Sequence, residues 1–219
     1  MLRERYARQI NSLREDLLRM GSMVEQALLH ALHALETWDA LEAARVTGDD
    51  PKIDAAWRDL EERTIRLLAT QQPIVASDLR LITTVTAIAG ELERIGDYAN
   101  SIARRVRRAV RRPSLLLPPP QINEMATLAI QMINTSLEAF LRQDTDLAHS
   151  LSATDERVDE LEDRLRERLI AEARARPEQL EAVIDLIEVV HALERSADRA
   201  TNIGERVIYL CTSSTETIN

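Results

Sequence analysis

The sequence predicts an all-α protein built as two tandem antiparallel three-helix bundles. Three observations carry this. Apolar residues recur at spacings of three and four over long stretches; aromatics make up 3% of the chain and glycines number five in 219 residues; and the second half repeats the first. Sheet proteins draw on aromatics and turn residues that are scarce here.

In the first half, Ile10, Leu13, Leu17, Met20, Val24, Ala27, Ala31, Leu35 and Trp38 form one apolar stripe, which defines a long first helix. A second helix carries Ile53, Trp57, Leu60 and Leu67. The third has Leu81, Val85, Ile88, Leu92, Ile95, Ala99, Ile102 and Val106, close to a coiled-coil seam, and is entered through Gln72-Pro73 with Ser77 or Asp78 suited to its first turn. Pro113, Pro118, Pro119 and Pro120 then stop the helix and stiffen an extended connection. Within that connection, Leu115 to Leu117 are expected to pack on the protein's own surface, with a partner-binding anchor as the alternative.

The second half follows the same plan. At an offset of 105 positions Asp39, Asp50, Ile53, Asp54, Leu60 and Arg63 meet Asp144, Asp155, Val158, Asp159, Leu165 and Arg168. Beyond Pro73 and Pro177 the offset becomes 101, and Glu93, Arg94, Asp97, Ala99 and Val106 meet Glu194, Arg195, Asp198, Ala200 and Val207. A three-helix unit has been duplicated, giving six long helices. The expected organisation is a first repeat over residues 1–112, a proline-rich linker over 113–120, a second repeat over 121–212 and a disordered tail over 213–219.

Composition narrows the function. Hydrophobic residues at 45% suffice for a core, and a formal charge of -9 argues against nucleic-acid binding, which needs a basic footprint. Arg104 to Arg112 hold six arginines in nine positions, a run expected to be a solvated helix face, with an acidic partner, lipid headgroups or phosphate as the alternative. One cysteine, Cys211, excludes an internal disulfide. Met1 to Arg5 lack a signal-peptide core, and no window is apolar enough to span a membrane, so a cytoplasmic location is expected.

The chemistry-bearing residues are carboxylates. Asp50 with Asp54, Glu93 with Asp97, Asp155 with Asp159, and Glu194 with Asp198 each stand four residues apart, on one helix face where like charges repel. If the second and third helices of each unit pack together, four carboxylates converge along a groove suited to hard cations that take about six oxygen ligands. Gly96 and Ala197 are small enough to let an ion or a backbone approach. In the second unit His191 and Asn202 share the face of Glu194 and Asp198, which opens that site to iron, manganese or zinc as well as magnesium. A charged rim over a helical core is the competing explanation. Glu188-x-x-His191 has di-iron spacing, but it occurs once where such bundles need two. No phosphate-binding loop, nucleophile elbow or paired Cys/His spacing is present.

The segments Gln71 to Arg80, Glu91 to Asp97, Leu193 to Ile203 and Val207 to Leu210 resemble the PhoU family of phosphate-uptake regulators along nearly the whole chain. The resemblance implies metal clusters on Glu93, Asp97, Glu194 and Asp198, with Asp50, Asp54, Asp155 and Asp159 as the facing acidic helices. It also implies a non-catalytic, dimeric regulator. Such a regulator couples the ATPase of a phosphate ABC transporter to a sensor histidine kinase, represses the starvation response and meets the membrane only through its partners. Arg195-Ser196-Ala197-Asp198 departs from the usual Arg-Ile-Gly-Asp, and Ser101 stands where the family often has Asn, so Asn202 is expected to be a better ligand than Asn100. A metal-dependent hydrolase or oxidase in a helical bundle, and a plain helical scaffold, are the alternative functions.

Overall fold

The computed structural model describes residues 2–71, 73–112 and 115–218. Six long helices and one short one follow in order: α1 (Leu2–Thr37), α2 (Ala40–Thr70), α3 (Ala76–Ala109), α4 (Gln121–Arg142), α5 (Thr145–His149), α6 (Leu151–Ala175) and α7 (Leu180–Thr212). No strand occurs among the described residues. Gln72, Pro113 and Ser114 of the expected connections lie outside them.

Each half is an antiparallel three-helix bundle, α1–α2–α3 and α4–α5/α6–α7. The first two helices of each half are joined by the same tight turn. Trp38 and Gln143 adopt left-handed backbone at φ 55° and 54°. The next amides, Asp39 and Asp144, donate back to Ala34 and Ala139 at 3.0 Å each. The carboxylates of those aspartates then cap the following helix by accepting from Leu41 N (2.8 Å) and Leu147 N (3.0 Å). The second half departs from the plan at Ser150, where α5 ends and α6 begins, and at Pro177–Gln179, a single 3-10 turn with no counterpart among the described residues between α2 and α3.

The two bundles are not separate bodies. α3 packs along α7, and α1 meets α4, so a single core runs through both halves. This widens the apolar surface beyond the single stripe read from the sequence. Leu28, Leu32 and Ala34 of α1 are buried beside the predicted positions, and Gly21 leaves room on α1 for the end of the Leu137 side chain. The seam between halves is also tied by charge. Asp185 of α7, its side chain 6% exposed, is surrounded by Arg105, Arg108 and Arg112 of α3. Arg112 Nη2 lies 2.7 Å from Asp185, and Arg105 also donates to Glu188 at 2.8 Å. Half of the arginine run therefore ties the bundles together, Arg105 and Arg112 largely covered and Arg108 from the solvent side.

The connection and the C-terminal segment also pack against the helices. In the connection the chain is extended, so its side chains alternate: Leu116 packs against the core while Leu115 and Leu117 are exposed. In the C-terminal segment expected to be disordered, Ile218 is buried beside Gly204 and its amide donates to Glu205 at 3.2 Å.

Candidate functional site: two acidic grooves

The interface of the second and third helices of each half is where the predicted carboxylates meet. In the first half α2 contributes Asp50 and Asp54, and α3 contributes Glu93 and Asp97. The helices approach closely because α3 has no side chain at Gly96. A Cβ there would stand 3.2 Å from both Cδ1 and Cγ2 of Ile53. In the second half the repeat exchanges the volumes, with Ala197 at the position of Gly96 and the smaller Val158 at that of Ile53. Gly96→Ala is therefore expected to be tolerated far better with Ile53→Val than alone. Overpacking costs about 1–3 kcal/mol, and a double-mutant cycle measured by urea unfolding should give a favourable coupling of about 1 kcal/mol. Additive effects would show that the two positions do not set the groove width.

The carboxylates of each groove act on one another's charge. Burial, then repulsion from Asp54 and Asp97, raises the Asp50 carboxyl above its ordinary range. Burial, then Asp97, with smaller contributions from Asp54 and Asp50, raises Glu93. Asn100 is buried against them and donates to Asp50, while its own Oδ1 is sealed from solvent without a hydrogen bond. Asp54 and Asp97 line the wetter edge, with Arg58 3.9 Å from Asp54.

The second groove is deeper. Asp155 of α6 is 6% exposed, and its Oδ1 is buried with no hydrogen-bond partner. Burial, followed by Asp159 and Asp198, pushes its carboxyl up to about 6. Glu194 of α7 is pushed up to about 7, again by burial first and then by Asp198 and Glu162. Asp159 is raised as well, by burial and then Asp198. One oxygen of Asp198 accepts from Arg195 at 2.6 Å. All eight predicted carboxylates thus fall into two sets of four.

The ninth predicted residue does not join them. Asn202 turns towards the other half, where its amide donates to Glu91 of α3 at 3.4 Å, beside Arg199 at 3.2 Å. The expected order of the two asparagines is reversed, since Asn100 faces its groove and Asn202 faces the seam. His191 does reach the second groove. Its Nδ1 lies 3.3 Å from Glu194 and 3.8 Å from Glu162, a residue the sequence reading missed because it sits one turn beyond Asp159 with no local signal. A second histidine arrangement was also missed: His30 and His33 of α1 both contact Glu42 of α2, at 2.9 and 2.7 Å. His30 and Glu42 line a cleft of about 580 Å³ between those helices, outside the carboxylate grooves.

The donors are of the oxygen type that hard cations take, and three ligand atoms come within 4.8 Å of one another at Glu162, His191 and Glu194. Each groove gathers four carboxylates on rigid helices, and each keeps a buried oxygen without a partner, Asn100 Oδ1 in one and Asp155 Oδ1 in the other. A buried polar atom left without a partner is costly, and carboxylates held together against repulsion bind divalent ions through oxygen.

Comparison with known proteins agrees with this architecture. The PhoU domain family matches residues 17–106 and 122–207, one stretch in each half. A phosphate-specific transport system accessory protein PhoU homologue of Clostridium acetobutylicum is 34% identical over 221 residues, covering 100% of both chains. The protein named phosphate-specific transport system accessory protein PhoU in Escherichia coli is 30% identical over 92% of this chain and 83% of its own. Among solved structures, PhoU from Pseudomonas aeruginosa superposes with a TM-score of 0.90 at 32% identity, covering 95% of this chain and 100% of the other. The phosphate transport system regulatory protein PhoU from Streptococcus pneumoniae gives 0.88 at 27% identity, covering 96% and 99%. With both halves matched and a relative 34% identical over its full length, the chain belongs to the PhoU family.

Proposed function

We propose that this protein is a non-catalytic regulator of phosphate uptake that represses the phosphate-starvation response when phosphate is plentiful. The observation that carries the reading is the match along the chain to phosphate-specific transport accessory proteins, with both halves covered by the family. In this reading it works at the cytoplasmic face of the membrane, as a homodimer. It contacts the ATPase subunit of a phosphate ABC transporter and a sensor histidine kinase, and reaches the bilayer only through them. No helix among the described residues is long and apolar enough to cross a membrane.

The grooves act in this reading as cation sites. Asp50, Asp54, Glu93 and Asp97 hold one ion or cluster; Asp155, Asp159, Glu194 and Asp198 hold the other. Magnesium, manganese, iron and zinc are the candidates. The bound charge cancels repulsion between carboxylates and, by binding only the folded state, stabilises the helix pairs that carry the docking surfaces.

The experiment is a deletion of the gene in its host with complementation, read as secreted or periplasmic phosphatase activity in phosphate excess. Phosphatase activity should be high only in the deletion strain and return to the basal level with the intact gene. Activity unchanged by deletion would overturn the repressor role in that host. Complementation with Glu93, Asp97, Glu194 and Asp198 all changed to Ala should fail to restore repression, and the purified variant should lose its stoichiometric metal. Retention of both would remove the grooves from the mechanism.

A further inference from the structure

The two grooves descend from one duplicated unit, but their donor sets differ in kind. Aligned by the internal repeat, Glu162 and His191 of the second half occupy the positions of Trp57 and Gly90 in the first. The first groove therefore offers oxygen alone. The second adds an imidazole and a fifth carboxylate at one end, and Glu162, His191 and Glu194 bring their ligand atoms within 4.8 Å of one another. Within that triad His191 Nδ1 is 3.3 Å from Glu194 Oε2 and 3.8 Å from Glu162 Oε1. Three ligands placed about 2.1 Å from a tetrahedral ion stand about 3.4 Å apart, so these separations need only small side-chain adjustment. Glu194 Oε2 is buried and accepts no hydrogen bond, and Asp155 Oδ1, equally unpartnered on a residue 6% exposed, lies in the same groove.

We propose that Glu162, His191 and Glu194 form a separate metal position, found only in the second groove, that takes a first-row transition ion such as zinc. The inference rests on the reading of the grooves as cation sites and divides them by chemistry. Imidazole favours zinc, iron or nickel over magnesium, whereas an all-carboxylate set favours the hard ions. Glu194 belongs to both the groove and the triad, so the transition ion sits beside whatever the four groove carboxylates hold. His191, with its side chain 59% exposed, leaves the site open on its outer side, where water or an incoming oxygen ligand completes the coordination.

The test is zinc binding to metal-stripped full-length protein, measured by calorimetric titration in excess magnesium so that oxygen-only positions are occupied. The wild-type protein should bind one tight zinc equivalent. His191→Ala should weaken that equivalent tenfold or more, and Glu162→Gln, which keeps size and shape, should weaken it in the same direction. The converse experiment uses Trp57→Glu with Gly90→His to write the triad into the first groove. A Cβ at Gly90 meets nothing within 4 Å, and this variant should bind a second tight equivalent. Cobalt substitution gives an independent readout, because a visible band sensitive to nitrogen ligation should disappear in His191→Ala. Zinc binding unchanged by His191→Ala while magnesium still binds would overturn this inference and leave the groove reading standing. Binding of neither zinc nor magnesium to the wild-type protein would overturn both.

Discussion

Metal-free protein is expected to become less stable as pH rises from about 4 to about 8, through the two most perturbed carboxyls of the second groove. Asp155 is raised from 3.8 to about 6 and Glu194 from 4.5 to about 7, in each case by burial first and by neighbouring carboxylates second. For an acid whose folded pKa lies above its unfolded value, the folded state binds the proton more tightly. The associated stability is fully present below about pH 4 and disappears as pH passes through about 6 and then about 7. Each pKa unit corresponds to about 1.4 kcal/mol. The two groups share the same neighbours, so their contributions overlap, and together they are worth on the order of 3 kcal/mol. The measurement is urea unfolding in chelator at pH 5 and pH 8, comparing wild type with Asp155→Asn/Glu194→Gln. The variant should be the more stable protein at pH 8 and lose that advantage at pH 5, since its amides are neutral throughout. Saturating divalent ion should abolish the wild-type loss, because the ion replaces the protons as the compensating charge. Parallel curves for the two proteins would show that the groove relaxes or hydrates when it ionises.

Asp185→Ala is expected to cost about 3 kcal/mol, the scale found when one member of a buried charge cluster is removed and its partners remain. Asp185 is the common neighbour of Arg105, Arg108 and Arg112, and the Arg105 and Arg112 side chains are only 19% and 18% exposed. Glu188 and Glu181 still hold Arg105 and Arg112 from the more exposed side, which keeps the cost from being larger. Urea unfolding of the full chain checks the number, and Asp185→Asn should fall between wild type and Asp185→Ala. A loss below about 1 kcal/mol would mean that the arginines rotate out to water at little cost.

How far the fold could be read in advance follows from periodicity. Leu81 through Val106 repeat at three and four without interruption, so α3 and its inward face were legible, and the duplication extended that reading to α7. The packing of α3 along α7 was not, because α7 is apolar on two faces and nothing local says which face meets which half. The same ambiguity hid the use of the arginine run, whose partners Asp185 and Glu188 lie about 80 positions away. At the site, residues four apart must share a face, so the carboxylates were legible as pairs. One residue is a rotation of about 100°, and that single step separates Asn100, which faces its groove, from Asn202, which corresponds to Ser101 and faces the seam. Glu162 and His191 come from different helices and meet only through packing. Their signal was present in the repeat, at the places where the two halves disagree.

The Asp185 cluster also determines which half may pair with which. Two copies of one ancestral unit have related surfaces, so each half could in principle pack against its own kind on another chain. The cluster is lopsided. Asp185 corresponds to Thr84, which is buried, and of the three arginines only Arg105 has an arginine, Arg206, at its counterpart, while Arg108 and Arg112 correspond to Tyr209 and Ser213. Joining two first halves would set arginines against threonine, and joining two second halves would bury two aspartates with one arginine each. Only the unlike pairing satisfies the charges, so the asymmetry that accumulated after duplication selects first-with-second packing over association of like halves.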